Sequence, residues 1–383
     1  MNTTLSPILV QRFYALQGEL LPQAALVLEG MSPKLEQIIR VLEISDIERL
    51  VNTDSSGPGQ PRADRCALVS AFVAKAVLGL CSTRALIERL QMDQRLKRLC
   101  GFDMHHGVPS EATFSRAFAE FAHSKLATRV HTQMIQEHLG EQLIGHISRD
   151  SSAIEARERA AKPAPTQARV AASEAATPTQ PASVKRARGR PRKTDPQTVT
   201  LAPLSPLQRQ QTQSLAQMLA ELPTACAVGS KLNAKGYKTS WVGYKLHLDT
   251  ACCGVIISAL LTGAQVHDSR VALPLSIMSS QKVQALYELM DAAYCSEIIR
   301  GFVRSQGRVP LVEHNPRRGE KHEFTPDQAQ RYKTRTGAER SNARVKDEFG
   351  GRAIYVRGAD KVMSHLMFGI IALCADQLLR LLI

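Results

Sequence analysis

The chain has 383 residues with 49 Lys and Arg against 35 Asp and Glu, so its net charge is +14 and its pI is near 9.6. Such a charge predicts a polyanionic partner. An aromatic content of only 5% argues against base stacking as the main mode of binding. The eight cysteines show no C-x-x-C spacing, which predicts reduced thiols and argues against a disulfide framework. The N-terminus lacks the pattern of an export signal.

The first third of the chain is predicted to be helical. We expect an N-terminal helical arm over residues 1–60 and an all-α domain over residues 61–140. Pro109 and Ser110 predict a helix start, and three phenylalanines at helical spacing predict a buried face. They are Phe114, Phe118 and Phe121. Basic side chains on two of these helices suit a DNA-docking helix-turn-helix variant, although a solvated surface or a dimer contact would use the same faces. They are Arg84, Arg89, Arg95, Lys97, Arg98 and Arg116.

A second domain is predicted over residues 141–383. Asp150 follows a short apolar segment and precedes small polar residues, so we expect it to end the first strand. A flexible basic insert follows at about 156–225, because Ala, Pro, Thr, Gln and Ser dominate much of it. Its segment VKRARGRPRK resembles an AT-hook, which binds the A·T minor groove, but a plain basic linker that binds phosphates is the simpler interpretation. The candidate DNA-binding residues there are Arg188, Arg190 and Arg192.

After the insert, strands and helices are predicted to alternate. The order is strand, strand, helix, strand, helix, strand, helix. Asp291 directly follows the alternating apolar residues of VQALYELM, so it stands where a strand stops. Asp268 is interpreted as the N-cap of the helix that starts near His267 and Asp268. His247 and His267 have no partner at metal-ligand spacing, which argues against a zinc site.

The segment YKTRTGAERSNARVK carries four residues at offsets of 0, 3, 7 and 14. They are Tyr332, Arg335, Glu339 and Lys346. On one helix these offsets fall within an arc of roughly 60°, which predicts a stripe with a carboxylate between two cations. A solvated charged helix is the alternative interpretation.

These residues resemble those of a known family. The spacing Y-x2-R-x3-E-x6-K, together with DSSAIEA from Asp150 and DAAY from Asp291, is similar to the signature of the D-D-E transposases of bacterial insertion sequences. The helical phrases STRALIERL and VPSEATFSRAFAEFA also resemble the N-terminal domain of that family. The resemblance implies a mixed α/β, RNase H-like catalytic domain. Its mixed five-stranded sheet would be flanked by helices, with the first and fourth strands as neighbours.

The resemblance also implies a chemistry. Asp150, Asp291 and Glu339 would be the catalytic carboxylates. Their hard oxygen ligands suit Mg²⁺ or Mn²⁺, and the site would hold two such ions. The family assigns Arg335 and Lys346 to DNA phosphates near the cut, and Tyr332 to the adjoining strand end. No covalent protein intermediate is needed.

The function implied is that of a transposase that binds the terminal repeats of an insertion sequence and catalyses metal-dependent DNA cleavage and strand transfer. Its partners would be double-stranded DNA, both terminal repeats and target, and a second copy in a synaptic dimer. We expect a cytoplasmic, nucleoid-associated bacterial protein, because the apolar C-terminal tail reads as an amphipathic closing helix and not as a membrane span. Two alternatives are a catalytically retired, transposase-derived DNA-binding protein and an RNase H-like nuclease without end specificity.

Overall fold

The computed structural model describes residues 32–52, 62–103, 106–161, 204–232, 236–315 and 323–382 of the protein. The helices that precede the sheet are α1 (Pro33–Ser45), α2 (Arg65–Val77), α3 (Thr83–Met92), α4 (Gln94–Leu99), α5 (Glu111–His123) and α6 (Leu126–Leu139). Serine side chains begin three of them by accepting a hydrogen bond from the backbone N–H three residues on. These serines are Ser32, Ser82 and Ser110. The helix start predicted at Ser110 is thus confirmed.

Phenylalanine rings form the centre of this helical region. Phe114, Phe118 and Phe121 are all buried, and their ring centroids lie 5.8, 4.9 and 6.3 Å from that of Phe72 on α2. The predicted buried face of α5 is therefore confirmed. Aromatic pairs at such distances stabilise a core beyond the area they bury.

The basic residues predicted for DNA docking are partly engaged within the protein. Arg84 forms an ion pair with Glu111 at 3.3 Å, and Arg89 pairs with Asp93 at 3.1 Å. Lys97 is buried and donates to a backbone carbonyl at 2.6 Å. The helix-turn-helix interpretation stays a prediction.

Six strands of the described chain form one mixed sheet. They are β1 (Leu143–Glu155), β2 (Ala227–Leu232), β3 (Lys238–Ala251), β4 (Ile256–Gly263), β5 (Gln284–Met290) and β6 (Val309–Val312). Strand β1 lies between antiparallel β3 and parallel β5, β4 pairs with the other edge of β3, and β6 pairs parallel with β5. The first and fourth predicted strands, β1 and β5, are therefore neighbours. This is the order of an RNase H-like sheet.

The sheet has one strand more than the five predicted. Strand β3 is 14 residues long, and its first part, up to Gly243, extends past the pairing with β4. The extra strand β2 pairs with that part. A long strand with unpaired backbone groups is a template for further pairing. The short segment AVGSKL, which forms β2, is the strand that pairs there.

Helices also flank the sheet. They are α7 (Pro206–Gln210), α8 (Leu215–Ala220), α9 (Ala272–Ser280), α10 (Glu297–Ser305), α11 (Pro326–Lys333), α12 (Thr336–Asp347) and α13 (Ala359–Leu382). Helices α7 and α8 lie inside the segment predicted as a flexible insert, so that segment contains helical structure. Each begins with a capping box, which fixes short helices locally.

Helix α13 joins the helical region to the sheet. It packs against α1, α2, α5, α6 and β4, and one apolar core spans both parts of the chain. Within the described chain, Ala359–Leu381 is long and apolar enough to cross a membrane, but 72% of its most apolar window is buried inside the protein. That burial is what a core helix shows.

A buried ion network anchors the central strand next to the candidate site. The guanidinium of Arg149 binds both carboxylate oxygens of Asp249 at 2.7 Å and lies 3.3 Å from Glu288. Arg308 pairs with Glu288 from the other side. All four side chains are at most 5% exposed. Sequence reasoning did not find this network, because its members are far apart in the chain.

Replacing Arg149 with methionine is expected to destabilise the protein by about 3–5 kcal/mol, because buried Asp249 would lose its paired cation and Glu288 would keep only Arg308. Chemical denaturation measures this change. Arg89→Met is a matched control, since the Arg89–Asp93 pair lies on the surface with Arg89 54% exposed and pairs of this kind contribute about 0–1 kcal/mol. Equal stability losses for the two variants would contradict the prediction.

Candidate active site

The two aspartates predicted from separate motifs meet on neighbouring strands. In the parallel pairing of β1 with β5, Ser148 stands opposite Leu289, and two residues further along each chain come Asp150 and Asp291. Asp291 directly follows β5 and caps a short 3-10 helix through a 3.0 Å hydrogen bond from the N–H of Ala293. The predicted position of Asp291 at a strand end is confirmed.

Asp150 does not end its strand, so that prediction was wrong. Strand β1 continues to Glu155, and Asp150 pairs with Leu248 of β3. The small polar residues after Asp150 are typical of a turn, but the long neighbour β3 gives them a pairing partner in extended conformation. Asp150 nevertheless lies beside the end of β5, which brings the two carboxylates together.

The predicted single helical stripe is divided between two helices. Helix α11 ends at Lys333, and α12 begins at Thr336 with Arg335 as its N-cap. Thr334 joins them: its hydroxyl donates to the Arg331 carbonyl at 2.6 Å and lies 3.1 Å from the His146 ring nitrogen on β1. The prediction of one continuous helix was therefore wrong, because tertiary contacts at the threonine redirect the chain.

Helix α12 brings the third carboxylate to the sheet. Its buried residues recur at positions i, i+3, i+4 and i+7, a spacing that directs one face inward. They are Ala338, Ser341, Asn342 and Val345. This face packs on β1 and β3, and Glu339 lies at its margin, 57% exposed.

One guanidinium group contacts all three carboxylates. Arg335 lies 3.0 Å from Asp150, 3.8 Å from Asp291 and 3.0 Å from Glu339. Its own side chain is only 14% exposed. Because the three acids come from β1, from the end of β5 and from α12, the fold gathers them around a single cation.

Burial makes the ionised forms of the two aspartates costly. Desolvation raises the pKa of Asp150 to about 6, opposed by Arg335 and reinforced by Asp291. Desolvation also raises the pKa of Asp291, again opposed by Arg335. Since cations favour ionised carboxylates, this group of acids requires positive charge among them.

The donor set fits a divalent cation. Three carboxylates offer the hard oxygen ligands that Mg²⁺ and Mn²⁺ prefer, and they already surround a positive charge. Among the described residues, no three His, Cys, Asp or Glu side chains converge closely enough to hold one ion, and these three converge on Arg335 instead. Either the guanidinium or a metal ion can supply the positive charge that these carboxylates require.

Sequence reasoning missed one residue of the site, Asn342. Its amide donates to Asp150 Oδ2 at 2.9 Å, while Arg335 binds Asp150 Oδ1. Asn342 is 6% exposed, and its own Oδ1 is buried without a hydrogen-bond partner in the described structure. Its position three residues after Glu339, on the same helical face, is the signal that could have found it.

Replacing Asn342 with leucine is expected to slow DNA cleavage about 10- to 100-fold, as loss of a residue that orients a metal ligand does. DNA affinity should stay within about twofold, because Asn342 is buried. Cleavage rates and binding isotherms measure the two effects. Ser341→Ala is the matched control. Ser341 is the buried neighbour of Asn342 on the same helix, and its hydroxyl donates to the Gly254 carbonyl and not to a carboxylate of the site. A cleavage rate like that of the control would contradict the assignment.

The other predicted contacts take separate places. The Tyr332 hydroxyl lies 3.2 Å from the Met290 carbonyl and 3.3 Å from Glu313, beside the end of β5. Lys346 lies at the far end of α12, where burial and the nearby cations Lys231 and Arg352 lower its pKa. Tyr332 therefore borders the carboxylates, whereas Lys346 belongs to a neighbouring basic surface.

Asp268 is not the N-cap of its helix, since His267 holds that position. Instead, Asp268 accepts a hydrogen bond at 2.9 Å from the ammonium group of Lys245, a largely buried residue of β3. The candidate DNA-binding residues Arg188, Arg190 and Arg192 lie outside the described residues.

This arrangement defines a class of enzyme: an RNase H-like domain of the D-D-E type behind a helical domain. Two family models match the chain, a transposase domain (DUF772) over residues 26–120 and a transposase DDE domain over residues 210–375. The chain belongs to the DDE transposases of insertion sequences. It is thus an enzyme that acts on DNA, in a family that generally uses divalent metal ions.

The two matches divide the site residues unequally. Asp291 and Glu339 lie within the DDE match, as do Tyr332, Arg335 and Lys346, whereas Asp150 lies between the two matched regions. The pairing of β1 with β5 is the observation that connects Asp150 to the others. No curated protein and no solved structure matches the chain.

Proposed function

We propose that this transposase binds the terminal repeats of its insertion sequence and catalyses metal-dependent cleavage and strand transfer. Asp150, Asp291 and Glu339 would together bind Mg²⁺ or Mn²⁺, two ions per site. The observation that carries the proposal is the shared contact of the three carboxylates with Arg335. Bound ions would activate the attacking oxygen and stabilise the leaving oxygen at phosphorus.

Arg335 has two tasks in this proposal. Without DNA its guanidinium offsets part of the negative charge of the three carboxylates and keeps them gathered. When a phosphodiester enters, the same guanidinium turns to the phosphate oxygens, which it can bind through two parallel hydrogen bonds. Its departure leaves the carboxylates free for the metal, so substrate binding and metal binding support each other.

Neighbouring residues orient the substrate. Tyr332, at the Met290 carbonyl, is placed to contact the DNA strand that passes the end of β5. Lys346 would hold a phosphate about three helical turns further along α12, as a point charge. Asn342 keeps one oxygen of Asp150 fixed by its 2.9 Å hydrogen bond.

A cleavage assay with DNA ends tests the proposal. Duplexes carrying the element's own terminal repeats are incubated with the protein and Mg²⁺, beside duplexes with scrambled repeats. We expect cleavage at the repeat boundary only. Binding without cleavage would favour a retired DNA-binding descendant, and cleavage of both duplexes would favour a nuclease without end specificity.

We further propose that the protein works in the bacterial cytoplasm as a dimer that pairs two DNA ends. Strand transfer joins both ends of one element to the target DNA, so the two active sites must act together. Mixing an inactive Glu339→Gln chain with wild type would then reduce paired-end cleavage more than in proportion to its fraction. A proportional loss would indicate independent subunits.

A further inference from the structure

A second candidate site lies where the helical region meets the catalytic domain. It is a pocket of about 420 Å³, open to solvent, bordered by the end of α2, the start of α3 and the segment after β1. Its lining includes Lys75, Thr83, Arg84, Arg157 and Tyr355. We call it the interdomain pocket.

Lys75 is the unusual residue of the interdomain pocket. Its side chain extends from α2, it is only 7% exposed, and its ammonium group has no hydrogen-bond or carboxylate partner among the described residues. Burying an uncompensated charge is costly, and desolvation lowers the pKa of Lys75 to about 8. Among the described residues only the Cys81 thiol supports this charge electrostatically, so the ammonium is available to an anion that enters the open pocket.

The surroundings of Lys75 suit an anion. The N-terminus of α3, a helix of 10 residues, opens on the pocket at Thr83 and Arg84. Free backbone N–H groups and the helix dipole favour negative charge there. Arg157 also borders the pocket, with its guanidinium 5.6 Å from the Tyr355 ring centroid and without a carboxylate partner in the described structure. Arg84 is already paired with Glu111.

The position of the pocket indicates which anion it takes. Arg157 comes two residues after the end of β1, and Glu155 lies about 16 Å along that strand from Asp150. Lys346 interacts electrostatically with Glu155 at the end of β1, with Asp347, and with the cations Lys231 and Arg352. Basic side chains thus accompany the end of β1 between the carboxylates and the pocket, where a duplex backbone would meet them.

We propose that the interdomain pocket binds a backbone phosphate of the end DNA, held by the Lys75 ammonium and the N-terminus of α3. The distance along β1 places this phosphate about 20 Å from the scissile one, on the order of six base pairs away. The contact would fix the helical region and the catalytic domain on one stretch of duplex. It rests on the proposed function in taking end DNA as the ligand.

DNA binding by Lys75→Met tests the inference. The measurements use a cleavage-deficient Glu339→Gln background, so they do not depend on catalysis. We expect Kd to rise about tenfold and the salt dependence of log K to lose about one unit of slope. Folding should be preserved or improved, because the substitution removes a costly buried charge.

The matched control is Lys282→Met. Burial lowers the pKa of Lys282 to about 8 as well, but its ammonium donates to the Ile257 carbonyl at 2.8 Å and does not line the interdomain pocket. Its DNA affinity and salt slope should equal those of the parent. Equal values for Lys75→Met would overturn the inference, while absence of any end binding by the parent would overturn the proposed function.

Neutral methylphosphonate links in the DNA backbone show which phosphate Lys75 contacts. Substituted one at a time along the end duplex, they should weaken binding by the parent most at a position about six base pairs from the cut. The Lys75→Met variant should be insensitive at that position, because the two changes remove the same contact. Equal sensitivity of both proteins at every position would overturn the assignment of Lys75 to a phosphate.

Discussion

Replacing Asp291 with asparagine is expected to reduce end cleavage by about 10³-fold or more while DNA binding persists. The substitution keeps the shape of the side chain and its capping bond to Ala293, but it removes one of the carboxylate charges around Arg335. Loss of a metal ligand removes several kcal/mol of transition-state stabilisation, and each 1.36 kcal/mol is tenfold in rate. Asp150→Asn and Glu339→Gln should behave alike.

Single-turnover cleavage and a binding isotherm on the same labelled end duplex measure the two effects of Asp291→Asn. Glu137→Gln is the matched control, because this exposed residue of α6 loses a charge away from the site. Cleavage by Asp291→Asn within tenfold of the control would show that the carboxylate is not a metal ligand. Loss of binding together with cleavage would indicate a role in DNA contact.

Replacing Arg335 with glutamine is expected to change metal binding and cleavage in opposite directions. Without the guanidinium, the three carboxylates keep their mutual repulsion and have no competing cation. Mn²⁺ should therefore bind the DNA-free protein about tenfold more tightly, a change of about 1.4 kcal/mol. End cleavage should fall about 10²–10³-fold, because a group that binds the reacting phosphate is lost.

Titration calorimetry of Mn²⁺ without DNA measures the first effect of the Arg335 substitution. Arg335→Lys keeps the charge and should leave Mn²⁺ affinity near that of wild type, while cleavage still falls because a lysine cannot bind the phosphate at two points. Arg340→Gln controls for the loss of an exposed cation on the same helix. Unchanged Mn²⁺ affinity in Arg335→Gln would contradict the view that guanidinium and metal share one position.

The acidic motifs were predictable because each is a local pattern. Asp291 follows a strand whose apolar residues alternate, and Glu339 stands in a charged helical segment. The role of Asn342 was harder to predict, because its spacing from Glu339 places it on the same helical face but does not show that the Asp150 carboxylate lies 2.9 Å away. The buried partners of Arg149 were missed for the same reason, since Asp249 is 100 residues distant along the chain.

Two wrong predictions of local structure, a strand end at Asp150 and one continuous helix from Tyr332 to Lys346, have the same physical cause. The residues after Asp150 favour a turn by composition, yet they remain extended because β3 offers them hydrogen-bond partners. The segment from Tyr332 to Lys346 has helical spacing throughout, yet it breaks at Thr334, which binds His146 on β1. In both places, contacts from another part of the chain outweigh the local preference.

The sequence by itself determined the class of this protein and the order of its strands and helices apart from β2, α7 and α8, and it singled out three acidic residues as the candidate site. Periodicity and motif spacing are encoded in neighbouring residues, so they can be read without the fold. Only the tertiary structure decided that Arg335 contacts all three acids, that Asn342 supports Asp150, and that Lys75 lies unpaired in a pocket between domains. Those facts depend on which distant segments pack together, and burial and charge act on residues only after that packing is formed.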